Sequence, residues 1–352
     1  MSVVLSPELQ RDSTDTSRPT TSMLTLVMYH YVRDLPRSRY PAIKGRRTDE
    51  FEAQLDYIQR HYSVVRLRDV VAASRGEYSL PEAPCVLTFD DGLSDHFETV
   101  FPRLMERGIP GAFFPSARPV RDRVVLDVHK LHFVLASTAD HDVLLRDVTQ
   151  LIASLRREYD LPSEDDLIAQ YRLPNRYDST TTAFLKRILQ HALPSVVRER
   201  VVDELFRRHV AVDEATFSRE LYMDMSQLRC LLKNGMEIGG HGDRHEHMGL
   251  LSRERQVAEL SGTRAFLRDV LGETVRDWIM CFPYGSFSAD SLALAAEQGC
   301  RVALSCVAEL NSLPVSSDSA PLLVLDRLDT NDIPCDATAA PCEWTHRARR
   351  RT

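Results

Sequence analysis

The stretch CVLTFDDGLSDHFETVFPRLMERGIPGAFFPS (85–116) carries the pattern that decides the fold. It opens with the apolar run CVLTF (85–89) and closes with GAFFPS (111–116), whose continuous apolar character is typical of a strand buried on both faces. Between these runs, SDHFETVFPRLMERG (94–108) predicts a helix that ends at Gly108. Two strands joined by a helix in this way are expected to run parallel.

The same alternation of short apolar runs and helical patterns occurs on both sides of this stretch. On the N-terminal side it comprises LTLVMYH (24–30), the helical TDEFEAQLDYIQRH (48–61) and SVVRL (63–67). After residue 220 it resumes with SQLRCLLKNG (226–235), MEIGGH (236–241), SRERQVAELSGTRAFLRDVLG (252–272), VRDWIMCFPYG (275–285), SADSLALAAEQG (288–299), RVALSC (301–306) and LLVLDRL (322–328). Repeated strand–helix units on this scale predict an α/β barrel.

The region between about residues 120 and 220 breaks this alternation. It contains the helical patterns DVLLRDVTQLIASLRREYD (142–160) and TTTAFLKRILQHAL (180–193) and few strand signals. We interpret 120–220 as a helical insertion in a barrel that spans residues 23–335. A lid, an oligomer contact and inert bulk are all open as roles for it.

The composition fits a globular protein and excludes some functions. The chain has 352 residues, of which 43% are hydrophobic and 27% charged, and its formal charge of −7 argues against nucleic-acid binding. Its seven cysteines are odd in number and form no CxxC pair, which argues against a disulfide framework and a thiolate zinc site. Residues 1–22 are expected to form a disordered tail, and residues 336–352 a solvated basic tail.

The sequence contains no apolar run of 18 residues, so no membrane span is expected. The N-terminal residues also lack the pattern of a secretory signal, which leads us to expect a cytoplasmic protein. The oligomeric state is left open by the sequence.

The first segment with chemical character is TFDDG (88–92), where an apolar strand ends in two adjacent carboxylates. The carboxyl ends of strands are where α/β barrels keep their active sites. Asp90 and Asp91 would repel each other unless a cation or a proton shared their charge. Taken alone, however, Asp-Asp-Gly is also a common turn sequence.

The second segment is GGHGDRHEHMG (239–249), which follows another strand-like run and supplies His241, His245 and His247. Imidazoles four residues apart can bind one metal ion when the backbone between them curves. A His-rich surface loop is the alternative, and the HExxH zinc proteases are the rival metal pattern. The glycines here oppose a helix, and position 242 is not the Glu that such a protease requires.

One carboxylate and two imidazoles at strand ends would give a metal three protein ligands. Such an ion keeps a position open for water, which is typical of catalysis, whereas a structural zinc normally has four protein ligands. Zn²⁺ is the expected ion, with Co²⁺, Ni²⁺ and Mn²⁺ as alternatives.

These segments resemble the polysaccharide deacetylases with a NodB-homology domain, carbohydrate esterase family four, over residues 24–120 and 222–332. TFDDG (88–92) is similar to the first family motif, and HGDRH (241–245) is similar to its H-x-x-x-H motif. The resemblance implies a distorted (β/α) barrel with a helical insertion. It also implies that Asp90 is the catalytic base and that Asp91, His241 and His245 bind the metal.

Three further segments support the resemblance. FPYG (282–285) looks like the third family motif, which implies that the backbone amide of Tyr284 stabilises the oxyanion. LVMYHYVRD (26–34) and LDRLDTND (325–332) are similar to sequences in one branch of these enzymes. The implied reaction is metal-dependent N-deacetylation of an N-acetylated sugar or glycan precursor.

The chain departs from the family pattern at two points. Cys281 stands where the third motif commonly has an Arg that orients the catalytic Asp. Arg327 is a candidate replacement, with a plain surface salt bridge as the alternative. The family's Leu-x-His motif, which supplies the general acid, has no clear match.

Several histidines are therefore candidates for the general acid. They are His30, which is the best placed because it ends the first strand, His132 and His346. Asp329 and Asp332 could orient such a histidine or form a turn, and His96 could touch substrate or simply lie on a helix face. These departures leave a non-catalytic carbohydrate-binding protein on the same fold as an alternative. The resemblance itself leaves the bond type open, because some members of the family remove O-acetyl groups or hydrolyse other C–N bonds.

Overall fold

The computed structural model describes residues 23–175, 178–272, 275–312 and 322–350. The strands are β1 (Met23–Tyr29), β2 (Val32–Arg33), β3 (Arg46–Arg47), β4 (Ser63–Val64), β5 (Pro84–Asp91), β6 (Ala112–Pro115), β7 (Glu237–Ile238), β8 (Trp278–Cys281), β9 (Cys300–Leu304), β10 (Asn311–Ser312), β11 (Leu323–Leu325) and β12 (Leu328–Asp329). The helices are α1 (Thr48–His61), α2 (Leu67–Ser74), α3 (Phe101–Arg107), α4 (Ala117–Asp122), α5 (Asp127–Ser137), α6 (His141–Leu155), α7 (Glu164–Tyr171), α8 (Thr180–Arg187), α9 (Ser195–His209), α10 (Glu214–Leu221), α11 (Met225–Lys233), α12 (Arg253–Leu271), α13 (Ala289–Glu297) and α14 (Glu343–Arg349).

The strands form an irregular ring of parallel neighbours. β1 pairs with β5, β5 with β6, and β6 with β7. A bridge between Gly240 and Met280 leads to β8, from which β9 and β11 continue in parallel. β12 follows β11 directly and pairs with β1, so the ring closes. The predicted α/β fold and distorted barrel are confirmed.

Strand β1 shows why these segments have continuous apolar sequences. Successive side chains of a strand point to opposite faces. Leu24 and Leu26 are fully buried in an apolar cluster with residues of β5, β6, β8 and β9, whereas Val27 and Tyr29 pack in a second cluster with Phe51 of α1. Burial of each such side chain contributes about 1.5–3 kcal/mol. Both faces are therefore apolar, as predicted for parallel strands.

Helices α4 to α11 lie between β6 and β7, and the described residues there form no regular strand. Helices α5 to α10 supply most of one apolar cluster, with residues such as Val134, Leu144 and Leu205, and Tyr31 and Leu93 from outside these helices also belong to it. An isolated bridge joins Tyr222, just after α10, to Leu93. The division of the chain at 120 and 220 stays a prediction, and the expected tail at 1–22 lies outside the described residues.

The C-terminal segment differs from the solvated tail that we expected. Residues 343–349 form α14, in which Thr345 and Ala348 are buried. The Thr345 hydroxyl oxygen lies 2.7 Å from the hydroxyl of Tyr57 and 2.8 Å from that of Tyr62. The sequence does not reveal this packing, because the segment is strongly basic and its buried residues are small.

The predicted strand at 63–67 is also shorter than expected. Only Ser63 and Val64 pair with β5, because Leu67 already begins α2. The backbone N–H groups of Leu67 and Arg68 donate to the Glu237 carboxylate, which fixes the start of that helix. Among the described residues, no helix has both the length and the apolar character to cross a membrane.

Candidate metal and catalytic site

The two carboxylates of TFDDG lie side by side at the carboxyl end of β5. Asp90 and Asp91 have exposures of only 1% and 4%. Asp91 has a φ of 75°, which is strained for a residue with a side chain and is a feature that clusters at functional sites. The fold therefore buries both carboxylates, and each needs partners that compensate for its loss of hydration.

The glycine that follows these acids has a steric role. Gly92 has a φ of 70°, and a Cβ there would lie 2.9 Å from Pro115 Cα and 2.6 Å from its Cβ. We expect Gly92→Ala to destabilise the fold by about 3 kcal/mol, since it combines the cost of a left-handed residue with overpacking. Thermal unfolding measures this, with Gly108→Ala as control because that glycine has a similar φ and open space around it. Equal losses in both variants would contradict the steric role.

Arg327 lies against Asp90, which agrees with its interpretation as the residue that orients this Asp and not with a surface salt bridge. Its Nη1 donates to Asp90 Oδ1 over 2.8 Å, and both side chains are almost completely buried. Burial alone would raise the pKa of Asp90, but the Arg327 charge, with His241 and His30 nearby, lowers it to about 2. Asp90 is therefore ionised at neutral pH.

Cys281 occupies the other side of this ion pair. Arg327 Nη2 donates to Cys281 Sγ over 3.1 Å, and the thiol lies 3.4 Å from Asp90 Oδ2. Burial raises the pKa of Cys281 to about 11, so it is a neutral thiol. An arginine from the β11–β12 connection thus supplies the charge that the local motif at Cys281 lacks.

Asp91, His241 and His245 converge on one point. Asp91 Oδ1 lies 3.3 Å from His241 Nε2 and 3.4 Å from His245 Nε2. All three side chains are buried, and their ligand atoms lie within 4.8 Å of one another. The structure thus brings together the three residues that the sequence assigned to a metal.

The hydrogen bonding of His241 tests whether these residues fit a cation. His241 Nδ1 donates to the Cys281 carbonyl oxygen over 2.8 Å, so in the neutral ring Nε2 carries a lone pair. That lone pair faces Asp91 Oδ1, a buried oxygen without a hydrogen-bond partner. Two acceptors this close repel each other unless a positive charge lies between them. A divalent ion fits these donors, as borderline metals such as Zn²⁺ accept imidazole and carboxylate ligands.

The connection between the two histidines is held by a residue that the sequence analysis missed. Glu259 of α12 accepts hydrogen bonds of 3.0 Å from the backbone N–H groups of Asp243 and Arg244. Burial raises the pKa of Glu259 to about 7. His245 itself has a φ of 61°, so the curved backbone expected between the ligands is observed. The sequence signal for this contact is an acidic residue at a buried position of a predicted helix.

His30 lies at the edge of the site. Its Nε2 is 4.0 Å from Asp90 Oδ2, and 41% of its side chain is exposed. His96 is fully buried instead, and its Nε2 lies 2.9 Å from the His30 carbonyl oxygen. His96 therefore supports the backbone of His30, which rules out the substrate contact considered for it.

Of the other histidines considered as acids, His132 lies next to His129, with ring centroids 5.9 Å apart, and His346 lies on α14. His132 Nδ1 is 3.4 Å from the Tyr31 hydroxyl, and burial lowers the pKa of His132 to about 3. His346 is next to Thr345, which contacts Tyr57. Asp329 and Asp332 form the turn that their sequence also allowed, because each accepts a backbone hydrogen bond from within 329–332.

His129, which the sequence analysis did not single out, contacts the site directly. It lies on α5, and its Nε2 is 3.0 Å from Asp91 Oδ2. Its Nδ1 is 2.6 Å from the hydroxyl of Tyr222. Both residues come from the chain between β6 and β7, whose role the sequence left open.

Tyr284 borders the candidate metal ligands and a pocket. Its φ is 59°, its ring stacks on His247 with centroids 3.8 Å apart, and it meets His245 edge to face at 4.7 Å. The pocket has a volume of about 250 Å³ and reaches from these rings to α5 and α9. Arg198 and Arg244 are among its lining residues, so the pocket next to the ligands is polar.

A family model described as polysaccharide deacetylase matches residues 177–303. This range contains HGDRH (241–245) and FPYG (282–285), whereas TFDDG (88–92) lies before it. No curated protein sequence matches the chain. The resemblance predicted from the sequence is confirmed.

Solved structures of deacetylases have a similar fold. The Streptococcus pyogenes deacetylase PplD is 13% identical with a TM-score of 0.53, and the alignment covers 88% of this chain and 93% of that protein. IcaB from Ammonifex degensii is 18% identical with a TM-score of 0.53, covering 94% and 98%. A de-N-acetylase from Aggregatibacter actinomycetemcomitans is 16% identical with a TM-score of 0.52, covering 90% and 97%. At these identities the likeness establishes the fold.

Proposed function

Starting from the resemblance of this chain to the polysaccharide deacetylases, we propose that it is a metal-dependent hydrolase that removes the N-acetyl group from an N-acetylated sugar or glycan precursor. The observation that carries this proposal is the buried Asp91 Oδ1 facing the Nε2 atoms of His241 and His245. These three residues would hold the ion, most simply Zn²⁺. When bound, such an ion polarises a carbonyl group and acidifies water.

Asp90 is the base in this proposal. Arg327 holds its Oδ1 and keeps the carboxylate ionised, so Oδ2 is the oxygen that takes the proton from water. A carboxylate with a pKa of about 2 is a weak base on its own, and a bound ion would compensate for this weakness by lowering the pKa of water.

His30 and Tyr284 complete the proposed machinery. His30 Nε2 lies at the exposed edge, 4.0 Å from the same Asp90 Oδ2, where it can donate a proton to the leaving amine. The Tyr284 backbone amide would stabilise the oxyanion, an effect worth on the order of 3 kcal/mol for a single donor. Substrate would occupy the pocket beside Tyr284, where charged side chains suit the hydroxyl groups of a sugar.

Metal analysis combined with acetate release tests the proposal. The protein is stripped with a chelator, reloaded with Zn²⁺, Co²⁺, Ni²⁺ or Mn²⁺, and assayed on UDP-N-acetylglucosamine, chito-oligosaccharides and an O-acetylated sugar. We expect acetate and free amine in equal amounts from an N-acetylated substrate. Metal binding without any acetate release would favour the non-catalytic carbohydrate-binding alternative, and release from the O-acetyl sugar alone would change the bond assignment.

Replacing His241 with Ala is expected to remove the metal, because only two protein ligands, Asp91 and His245, would then remain to bind it. Metal content after dialysis should fall below one tenth of that of the wild type, and acetate release should fall with it. His61→Ala is a matched control, since His61 is also buried but lies on α1 against Tyr57. A His241→Ala protein that retains both metal and activity would refute the site.

A further inference from the structure

The helical segment between β6 and β7 reaches the metal ligands through a buried chain of hydrogen bonds. The backbone N–H of Leu126 lies 3.0 Å from the Tyr222 hydroxyl oxygen, which is 2.6 Å from His129 Nδ1. His129 Nε2 is 3.0 Å from Asp91 Oδ2. His129 has no exposed surface, and Tyr222 and Asp91 are each 4% exposed.

The direction of each bond in this chain follows from its ends. An ionised carboxylate only accepts hydrogen bonds, so His129 Nε2 carries a hydrogen and donates it to Asp91 Oδ2. In the neutral ring Nδ1 then accepts from the Tyr222 hydroxyl. The Tyr222 oxygen in turn accepts from Leu126 N–H, so each donor in the chain has an acceptor.

His129 lies on the opposite side of the Asp91 carboxylate from the proposed metal position, so we do not assign it as a ligand. It contacts Oδ2, whereas His241 and His245 face Oδ1. Two groups of close ligand atoms occur among the described residues, Asp91 with His241 and His245, and Asp90 with His241 and Cys281, and neither includes His129. Its hydrogen bond therefore fixes the rotation of the carboxylate and leaves Oδ1 directed at the ion.

The backbone around Tyr222 is tied to the same turn. Tyr222 forms a bridge with Leu93, and Met223 N–H donates to the Gly92 carbonyl oxygen over 2.9 Å. The segment is thus held against the Asp-Asp-Gly turn by the backbone as well as by side chains.

We propose that His129, held by Tyr222, is a positioning residue that orients Asp91 for metal binding, which makes the inserted helices a structural part of the metal site. This inference rests on the proposed function. Groups that orient metal ligands typically change metal affinity by about 10- to 100-fold when they are removed.

Zn²⁺ affinity, measured by competition with a chromophoric chelator, tests the proposal. We expect His129→Leu to raise the Zn²⁺ dissociation constant by about 10- to 100-fold. His129→Gln, whose amide N–H can still reach Asp91, should recover part of that loss. Tyr222→Phe should weaken binding less than His129→Leu, and the double variant should bind no worse than His129→Leu because Tyr222 acts through His129.

The matched control is His141→Leu. His141 lies on α6, and both of its ring nitrogens are hydrogen-bonded, to Thr182 and to the Leu135 carbonyl, away from Asp91. Both His141→Leu and His129→Leu should lower the melting temperature, but His141→Leu should leave Zn²⁺ affinity within about threefold of the wild type. That contrast separates positioning from stability.

The outcomes distinguish the two proposals. Wild-type affinity in His129→Leu, or an equal loss in His141→Leu, overturns the positioning role while the metal site stands. Absence of Zn²⁺ binding by the wild-type protein overturns the proposed function and this inference together. If His129→Leu does not fold, a wild-type affinity in Tyr222→Phe overturns the role, because His129→Gln can retain the hydrogen bond to Asp91.

Discussion

Replacement of Asp90 with Asn is expected to lower kcat by about a thousandfold while the protein retains its metal. General bases contribute about 10²- to 10⁴-fold to rates, and Asn cannot accept the proton. The proposed ligands Asp91, His241 and His245 are unchanged, so metal content should stay at the wild-type level. Acetate release at saturating substrate and metal content of the same sample measure the two effects.

Asp95→Asn provides the control for this substitution. Asp95 is also buried and paired with an arginine, since its Oδ2 accepts from Arg33 over 2.8 Å, but it lies outside the proposed machinery. It should affect stability and leave kcat within a few fold of the wild type. Parallel loss of metal and turnover in Asp90→Asn would contradict the division of roles between the two adjacent aspartates.

Replacement of Arg327 with Met should affect both stability and the pH profile. Removing one partner of a buried ion pair leaves the other charge uncompensated, which typically costs about 3–5 kcal/mol. The pKa of Asp90, now about 2, should rise because burial is no longer opposed by the guanidinium. Asp90 would then be protonated over a wider range, so the acid limb of kcat should move to higher pH.

The sign of the stability effect follows from the same pKa. Because the pKa of Asp90 in the folded protein lies below the usual value near 3.9, its pairing stabilises the wild type above about pH 4. This contribution is lost as the pH falls through 2 and is absent from Arg327→Met at every pH. Urea unfolding as a function of pH should therefore show the largest difference between the two proteins near neutral pH.

The double variant Asp90→Asn with Arg327→Met is the control. It has neither charge, so it should be more stable than Arg327→Met alone, by an amount that a double-mutant cycle measures. An unchanged acid limb in Arg327→Met, with a normal fold, would mean that Arg327 does not tune Asp90.

The sequence predicted the barrel because continuous apolar runs, typical of buried parallel strands, alternate with helices that have one apolar face. Helix α1 occupies the predicted residues 48–61. Strand ends were less well predicted, as at 63–67, since the end depends on partners such as Glu237 that are distant in sequence. The buried contacts of α14 were missed because only small residues, Thr345 and Ala348, are buried in a strongly basic segment.

At the site, the sequence by itself determined the groups that can bind a cation: the adjacent acids at 90 and 91 and the histidines at 241 and 245. These are short motifs at strand ends, and a parallel barrel gathers such ends at one rim. Only the tertiary structure decided what surrounds them. Arg327 pairs with Asp90 although 237 residues separate them, and His129 contacts Asp91 from a helix outside the barrel. Buried charged and polar groups need hydrogen-bond partners, and residues distant in sequence can supply them only after the chain has folded.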